Sequence, residues 1–241
     1  MKLFDGEKYI HQLSIDCVIF GYKEKELKVL IPKIRMSKDL WALPGGFIRQ
    51  NESIDEAAQR ILQERTNLKN IYLEQFRVFG QTERTNKEVF EEFNSLKEAL
   101  IEQHPFTETD IDWLTQRFIS IGYYALVDIN KVNPKKGDFD ESISWYNIKD
   151  LPQMIMDHNN MVIYALETLR QNIDHKLIGF NLLPETFTMK EVQELYEAVY
   201  DKPFARNNFQ KKILDLDVLE RLEKKFTGAA NKAPYLYRFK K

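Results

Sequence analysis

Apolar runs in the first half of the chain have the length and spacing of strands. Residues 15–22 and 27–31 flank the polar turn Lys23-Glu24-Lys25-Glu26, which predicts a hairpin. Trp41-Ala42-Leu43-Pro44-Gly45-Gly46-Phe47 predicts a loop from its Pro-Gly-Gly content. Behind it, Ser53 is placed to cap a helix with an acidic first turn, an apolar stripe of Ile54, Ala57, Ala58, Ile61 and Leu62, and an end near Asn67, a residue that tolerates a left-handed backbone. Further strands are predicted over 72–79, 119–127 and 143–148, the second apolar enough to be buried on both faces. A helix over 161–169 carries Ala165, Leu166 and Leu169 on one side. Residues 84–117 read as a charged, helical insertion with the stripe Val89, Phe90, Phe93, Leu96 and Leu100 and a break at His104-Pro105. Plain packing and a partner-binding face are the two readings of that stripe.

Residues 173–187 sustain neither period, which places a linker there between units 1–172 and 188–241. Past it, Thr188-Met189-Lys190-Glu191 has the form of a capping box, opening a helix that buries Val192, Leu195, Tyr196 and Val199. Asp201-Lys202-Pro203 breaks that helix, and a second one, starting near Phe204 or Ala205, puts Phe209, Ile213 and Leu216 on its core face. Strands are predicted over 218–226 and 235–239, joined by a small, basic tip at 227–234. Two helices around a tight turn, followed by a hairpin, make a winged helix-turn-helix.

Charge sharpens this division. The chain of 241 residues has a formal net charge of −2, but residues 201–241 hold 11 Lys or Arg against 5 Asp or Glu, a net +6 that leaves −8 for the rest. A small basic module behind a larger acidic one points to a polyanionic partner. Arg206, Asn207, Gln210 and Lys211 lie opposite the core face of the second helix, with Asn208 and Lys212 close by. Arginine pairs with guanine, Asn and Gln with adenine, and Lys with phosphate. Thr188 and Lys190 at the first helix, and Lys232 and Tyr235 on the hairpin, complete the expected DNA-binding set. A hydrophobic fraction of 43% with 30% charged residues excludes fibrous and disordered classes. The single cysteine, Cys17, excludes an intramolecular disulfide and a cysteine-based metal site, and its apolar setting predicts a buried thiol. No signal-like N-terminus and no long apolar span is found, so the reading is a cytoplasmic protein without a membrane partner.

The segment from Gly46 to Leu68 resembles the Nudix box, G-x5-E-x7-R-E-U-x-E-E-x-G-U, with Gly46, Glu52, Arg60, Leu62, Glu64 and Leu68 in register. Trp41-x-Leu43-Pro44 before it and Leu151-Pro152-x5-His158 after it are familiar surroundings of that box. Nudix hydrolases cleave diphosphates with Mg2+ held by glutamates one helical turn apart, a spacing that puts carboxylates on one helix face. At those positions this chain has Ile61, Glu64 and Arg65. The resemblance therefore implies a Nudix-like α/β/α sandwich that has lost its catalytic residues, with no cofactor and no metal. Arg35, Arg49, Glu52, Glu64 and Arg65 are the candidates for contacting an effector; for Arg65 the plainer expectation is solvent exposure. Lys33 is a weaker candidate for the same pocket.

Together the two halves resemble the Nudix-related transcription regulators, the NrtR-like group, and more closely its sugar-catabolism branch. The closer resemblance is carried by 178–184 (IGFNLLP), 195–200 (LYEAVY), Asn208-Phe209 and 235–239 (YLYRF). It implies a homodimer on double-stranded operator DNA, controlling sugar or NAD-related metabolism. The effector is ADP-ribose in NrtR-like proteins and a pentose in the sugar branch, and the sequence does not choose between them. Two other readings stay open. One is an active diphosphate hydrolase using Glu52 and Glu64 with Mg2+; the other is a protein-binding adaptor built on the inserted helices.

Overall fold

The computed structural model describes residues 6–35, 39–69, 71–84, 91, 107–114, 116–174, 182–225 and 233–240. Strands β1 (Tyr9–Lys23) and β2 (Glu26–Ile34) form the expected hairpin, paired from Phe20↔Val29 to Lys23↔Glu26. Glu24 and Lys25 at its tip both take positive φ, 52° and 68°, the conformation in which a two-residue turn matches the strand twist. Strand β3 (Gly45–Arg49) pairs antiparallel with β1, so residues 41–47 are not loop throughout, as the Pro-Gly-Gly content had suggested. A Cβ at Gly45 would collide with the Asp16 carboxylate and lie 2.9 Å from the Ile15 carbonyl oxygen. Glycine here admits a close strand approach rather than a turn.

Strands β4 (Leu73–Phe79), β5 (Ile119–Asp128) and β6 (Asp140–Asn147) complete a mixed sheet of order β4-β5-β1-β2-β6, with β3 on the flank of β1. Strand β5 runs parallel to β1 from Leu13↔Ile119 to Tyr22↔Asp128 and is buried along nearly its whole length. Its central place between two strands explains the uninterrupted apolar run.

Helix α1 (Ile54–Thr66) covers one face. Ser53 and Glu56 form a reciprocal capping box, and Asn67 ends the helix at φ 60°. Ala57, Ala58, Ile61 and Leu62 pack in one cluster with Ile15, Cys17, Ile19, Leu30 and Ile48. Ile54, expected on that stripe, is 41% exposed. Helical side chains lean toward the N-terminus, and at the first position nothing lies there to cover it. Cys17 is buried as expected, and burial pushes its thiol pKa up. A short helix, α2 (Glu108–Leu114), brings Trp113 against Phe47 and Phe118, with ring centroids 4.6 and 4.9 Å apart. The stripe at residues 89–100 and the break at 104–105 lie outside the described residues.

Helix α3 (His158–Asn172) covers the opposite face, longer at both ends than its apolar pattern indicated. Its Met161, Val162, Ala165 and Leu169 share a cluster with Val18, Phe20, Tyr124 and Leu126 of the sheet. That same cluster continues into the C-terminal unit through Phe187, Val192, Leu195, Val199, Phe209, Ile213 and Tyr237. The two units thus share one apolar core. The C-terminal unit consists of α4 (Met189–Tyr200), α5 (Arg206–Asp215) and a three-stranded sheet of order β7-β9-β8, from β7 (Phe187–Thr188), β8 (Leu219–Lys224) and β9 (Tyr235–Phe239). Thr188 and Glu191 form the expected capping box, and Asp201 ends α4 in the left-handed region. Among the described residues no helix is long and apolar enough to cross a membrane.

Candidate functional site

Two surfaces carry the residues singled out by the sequence. On the first, at helix α1, every charged group of the box already has a protein partner. Arg60 donates to Glu52 from Nε (2.9 Å) and Nη2 (2.6 Å), and Nη2 also reaches the Phe47 carbonyl oxygen at 2.9 Å. The Arg49 backbone N–H donates to Glu52 at 2.8 Å. These bonds, those from Arg60 first, hold the Glu52 carboxyl below the usual carboxylate range. Glu64 is half exposed and leans on Arg60 at 3.4 Å and Arg49 at 3.8 Å.

Ile61 occupies one of the family's carboxylate positions and is 1% exposed, its side chain 3.0 Å from where a Cβ on Gly46 would stand. Arg65 is not solvent-exposed, contrary to expectation. Its guanidinium pairs with Asp140, approaches the Gly45 carbonyl oxygen at 3.4 Å, and covers Gly137 so closely that a Cβ there would collide with it. The partner lies 75 residues away, beyond any helical spacing rule. Arg35 reaches the Asp140 carbonyl oxygen at 3.4 Å, and Lys33 pairs with Glu141 at 3.2 Å. A hard divalent cation wants several converging oxygens. One half-exposed carboxylate beside a buried isoleucine and a paired arginine does not fit it.

On the face of the sheet that α3 covers, opposite helix α1, lies a polar network that sequence reasoning missed. Ser14 Oγ and Ser120 Oγ are 2.5 Å apart, and Ser120 donates to Asp16 at 2.5 Å. Arg84, 2% exposed, donates from Nε to Asp157 at 2.8 Å and from Nη1 to the Phe118 carbonyl oxygen at 2.9 Å, with Nη2 3.6 Å from Asp16. His158 Nδ1 accepts the Leu43 backbone N–H at 2.9 Å, and Nε2 lies 3.9 Å from Asp16. Burial lowers the His158 pKa, against the opposing pull of Asp16. Its members come from β1, β5, α3 and the start of the insertion. Only the Leu-Pro-x5-His surroundings of His158 had drawn attention to any of them.

The second surface is helix α5. Arg206, Asn207, Asn208 and Lys211 are exposed, Gln210 is half-buried, and Phe209 and Ile213 turn inward. The first four side chains make no hydrogen bond or ion pair among the described residues. Lys212 differs: its ammonium is 2.7 Å from Asp174 Oδ2 and lies over the rings of Tyr196 and Tyr200 at 5.5 and 5.9 Å. It faces Asp174 and helix α4 rather than joining the outward row. Thr188 is buried as a cap and Lys190 is exposed beside Glu194 at 3.8 Å. Tyr235, 40% exposed, carries Arg221 at 4.6 Å and Lys224 at 5.4 Å over its ring, a basic patch on the hairpin. Lys232 and the rest of 227–232 in the hairpin tip lie outside the described residues.

A sandwich with a box helix on one face, joined through a shared core to a winged helix-turn-helix, defines a Nudix-type domain fused to a DNA-binding winged helix domain. Comparison with known proteins agrees. Residues 10–165 match the model of the NUDIX domain, and residues 179–239 match that of the NrtR DNA-binding winged helix domain. The chain belongs to the NUDIX family and is NrtR-like in its two-domain organisation. It is similar to the crystal structure of Shewanella oneidensis NrtR, with TM-score 0.68 and 25% identity over 95% of this chain and 94% of that one. The same protein complexed with a 27mer DNA matches with TM-score 0.65 and 24% identity over 95% and 94%. A curated relative, the "ADPR responsive transcriptional repressor NtrR" of Acinetobacter baylyi, is 24% identical over 236 residues, 94% of this chain and 81% of that protein.

Proposed function

We propose that this protein is a transcriptional repressor whose hold on operator DNA is set by ADP-ribose or a closely related nucleoside-diphosphate sugar. The observation that carries the DNA half is the exposed row Arg206, Asn207, Asn208 and Lys211 on the second helix of a winged helix, chemically suited to base edges and phosphates. The ligand half is supported by the A. baylyi relative, described as ADPR responsive over nearly the whole length of this chain. The NUDIX domain binds without cleaving, because the positions that hold the metal in active relatives carry a buried isoleucine and a paired arginine. Two copies place their recognition helices on a palindromic operator, as winged helix dimers do with half-sites about one helical turn apart.

Fluorescence anisotropy of the DNA upstream of the protein's own gene, against a scrambled duplex, tests this reading with ADP-ribose, arabinose and xylose as ligands. Sequence-selective binding that ADP-ribose weakens or strengthens supports it. A response to arabinose or xylose alone moves the effector to the sugar class. Equal, weak, salt-sensitive binding to both duplexes rejects the regulator reading.

A further inference from the structure

Helix α3 runs from the loop that leads into the box to the helix that supports the second helix of the winged domain. At its start, Asp157 and His158 are bonded to Arg84 and to the Leu43 backbone, in the loop that leads into the box. Near its far end, about 18 Å away by the rise of an α-helix, Arg170 Nε donates to the Val199 carbonyl oxygen at 2.9 Å, and the Tyr200 hydroxyl donates to the Arg170 carbonyl oxygen at 2.7 Å. Val199 and Tyr200 form the last turn of α4, immediately before the turn into the recognition helix. Two residues past α3, Asp174 takes the ammonium of Lys212, which belongs to the recognition helix itself. The other Asp174 oxygen, Oδ1, is buried without a hydrogen-bond partner among the described residues.

We infer that α3 is the strut that passes the state of the NUDIX pocket to the recognition helix, with Asp174–Lys212 as its receiving contact. Lys212 accordingly serves coupling rather than DNA phosphate. The inference rests on the ligand-responsive reading above. Other links between the units are weaker carriers. Lys25–Glu194 and Lys149–Asp201 involve lysines 63% and 65% exposed, where ion pairs contribute little. By contrast, the Lys212 side chain is 40% exposed, its partner Asp174 is 19% exposed, and the cation is held over two tyrosine rings. Packed helices move as bodies between discrete arrangements rather than bending, so a small shift at the Leu43–His158 end reappears at the Arg170 and Asp174 end.

The test uses the full chain, operator DNA and ADP-ribose, with Lys212→Met, Asp174→Asn and the charge swap Asp174→Lys/Lys212→Asp. The ratio of DNA dissociation constants with and without ADP-ribose is expected to shrink at least roughly threefold in both single variants, within the usual range of coupling between sites, and to recover in the swap. The slope of log affinity against log salt is expected to stay at the parent value. A slope reduced by about 0.9, the signature of one lost phosphate contact, with the ligand ratio intact, overturns the inference. If the parent protein shows no ADP-ribose effect, the ligand reading fails by itself. The strut is then judged on the salt slope and on hydrogen exchange. Faster exchange over residues 206–215 in Lys212→Met with an unchanged slope supports it, and unchanged exchange with a reduced slope overturns it.

Discussion

Helices α1 and α4 are built by the same local rules and lead to opposite chemistry. Each opens on a capping box and closes on a left-handed residue, yet the charged groups around α1 are consumed by partners inside the domain, whereas α4 serves as the support for a second helix whose outward row, Arg206, Asn207, Asn208 and Lys211, has none among the described residues. Arg60 and Arg65 end on Glu52 and Asp140; Arg206 and Lys211 end in solvent. A surface whose polar groups satisfy one another is set for stability, and one left unsatisfied is set for a partner. The difference shows why residue type alone does not reveal a site.

The most severe way to break that contrast is to restore the family's carboxylate. Ile61→Glu puts an unpaired charge at a position 1% exposed and is expected to cost about 3 kcal/mol or more of stability in urea denaturation. A variant as stable as the parent would show that the site opens to water. Next, Arg206→Ala is expected to weaken operator binding by roughly 1 to 3 kcal/mol and relax base preference, while Lys211→Ala weakens specific and random duplexes about equally and lowers the salt slope by about 1. Equal losses on both duplexes for Arg206→Ala would reassign it to the backbone.

A third comparison uses pH. Burial holds the His158 pKa in the folded protein below the unfolded value of about 6.5. The unfolded chain therefore binds the extra proton first, and stability is full above that value and falls as pH drops from it toward the folded pKa, by at most about 1.4 kcal/mol per pH unit. Protonating Nδ1 also removes the acceptor for the Leu43 N–H. His158→Gln should flatten the melting-temperature profile between pH 7 and 5; an unchanged profile assigns the slope to other groups. The smallest effects are the caps. Ser53→Ala and Thr188→Ala should each cost about 1 kcal/mol, and only the second should also lower DNA affinity.

Elements governed by neighbours in sequence were legible: the 23–26 turn, the Ser53 cap, the Thr188–Glu191 capping box, the Asn67 stop and the inward Phe209 and Ile213. The departures share one cause. Gly45 and Gly46 read as loop because the strand they approach is 29 residues away in sequence at Asp16↔Gly45. Arg65 read as solvent-facing because Asp140 is remote in the chain, and the Lys212–Asp174 pair was invisible because its members are 38 residues apart. Charge on one helix face shows where a partner is possible, and only the fold shows whether the protein already supplies it.

The account turns on a pocket that binds without cleaving and a helix that answers it. The direct measurement incubates the protein with its operator, Mg2+ and ADP-ribose, follows DNA binding by anisotropy, and then recovers the nucleotide for chromatography. The account predicts a shift in DNA affinity with ADP-ribose recovered intact. Protein-dependent accumulation of AMP and ribose 5-phosphate, or DNA affinity indifferent to the ligand, would contradict it.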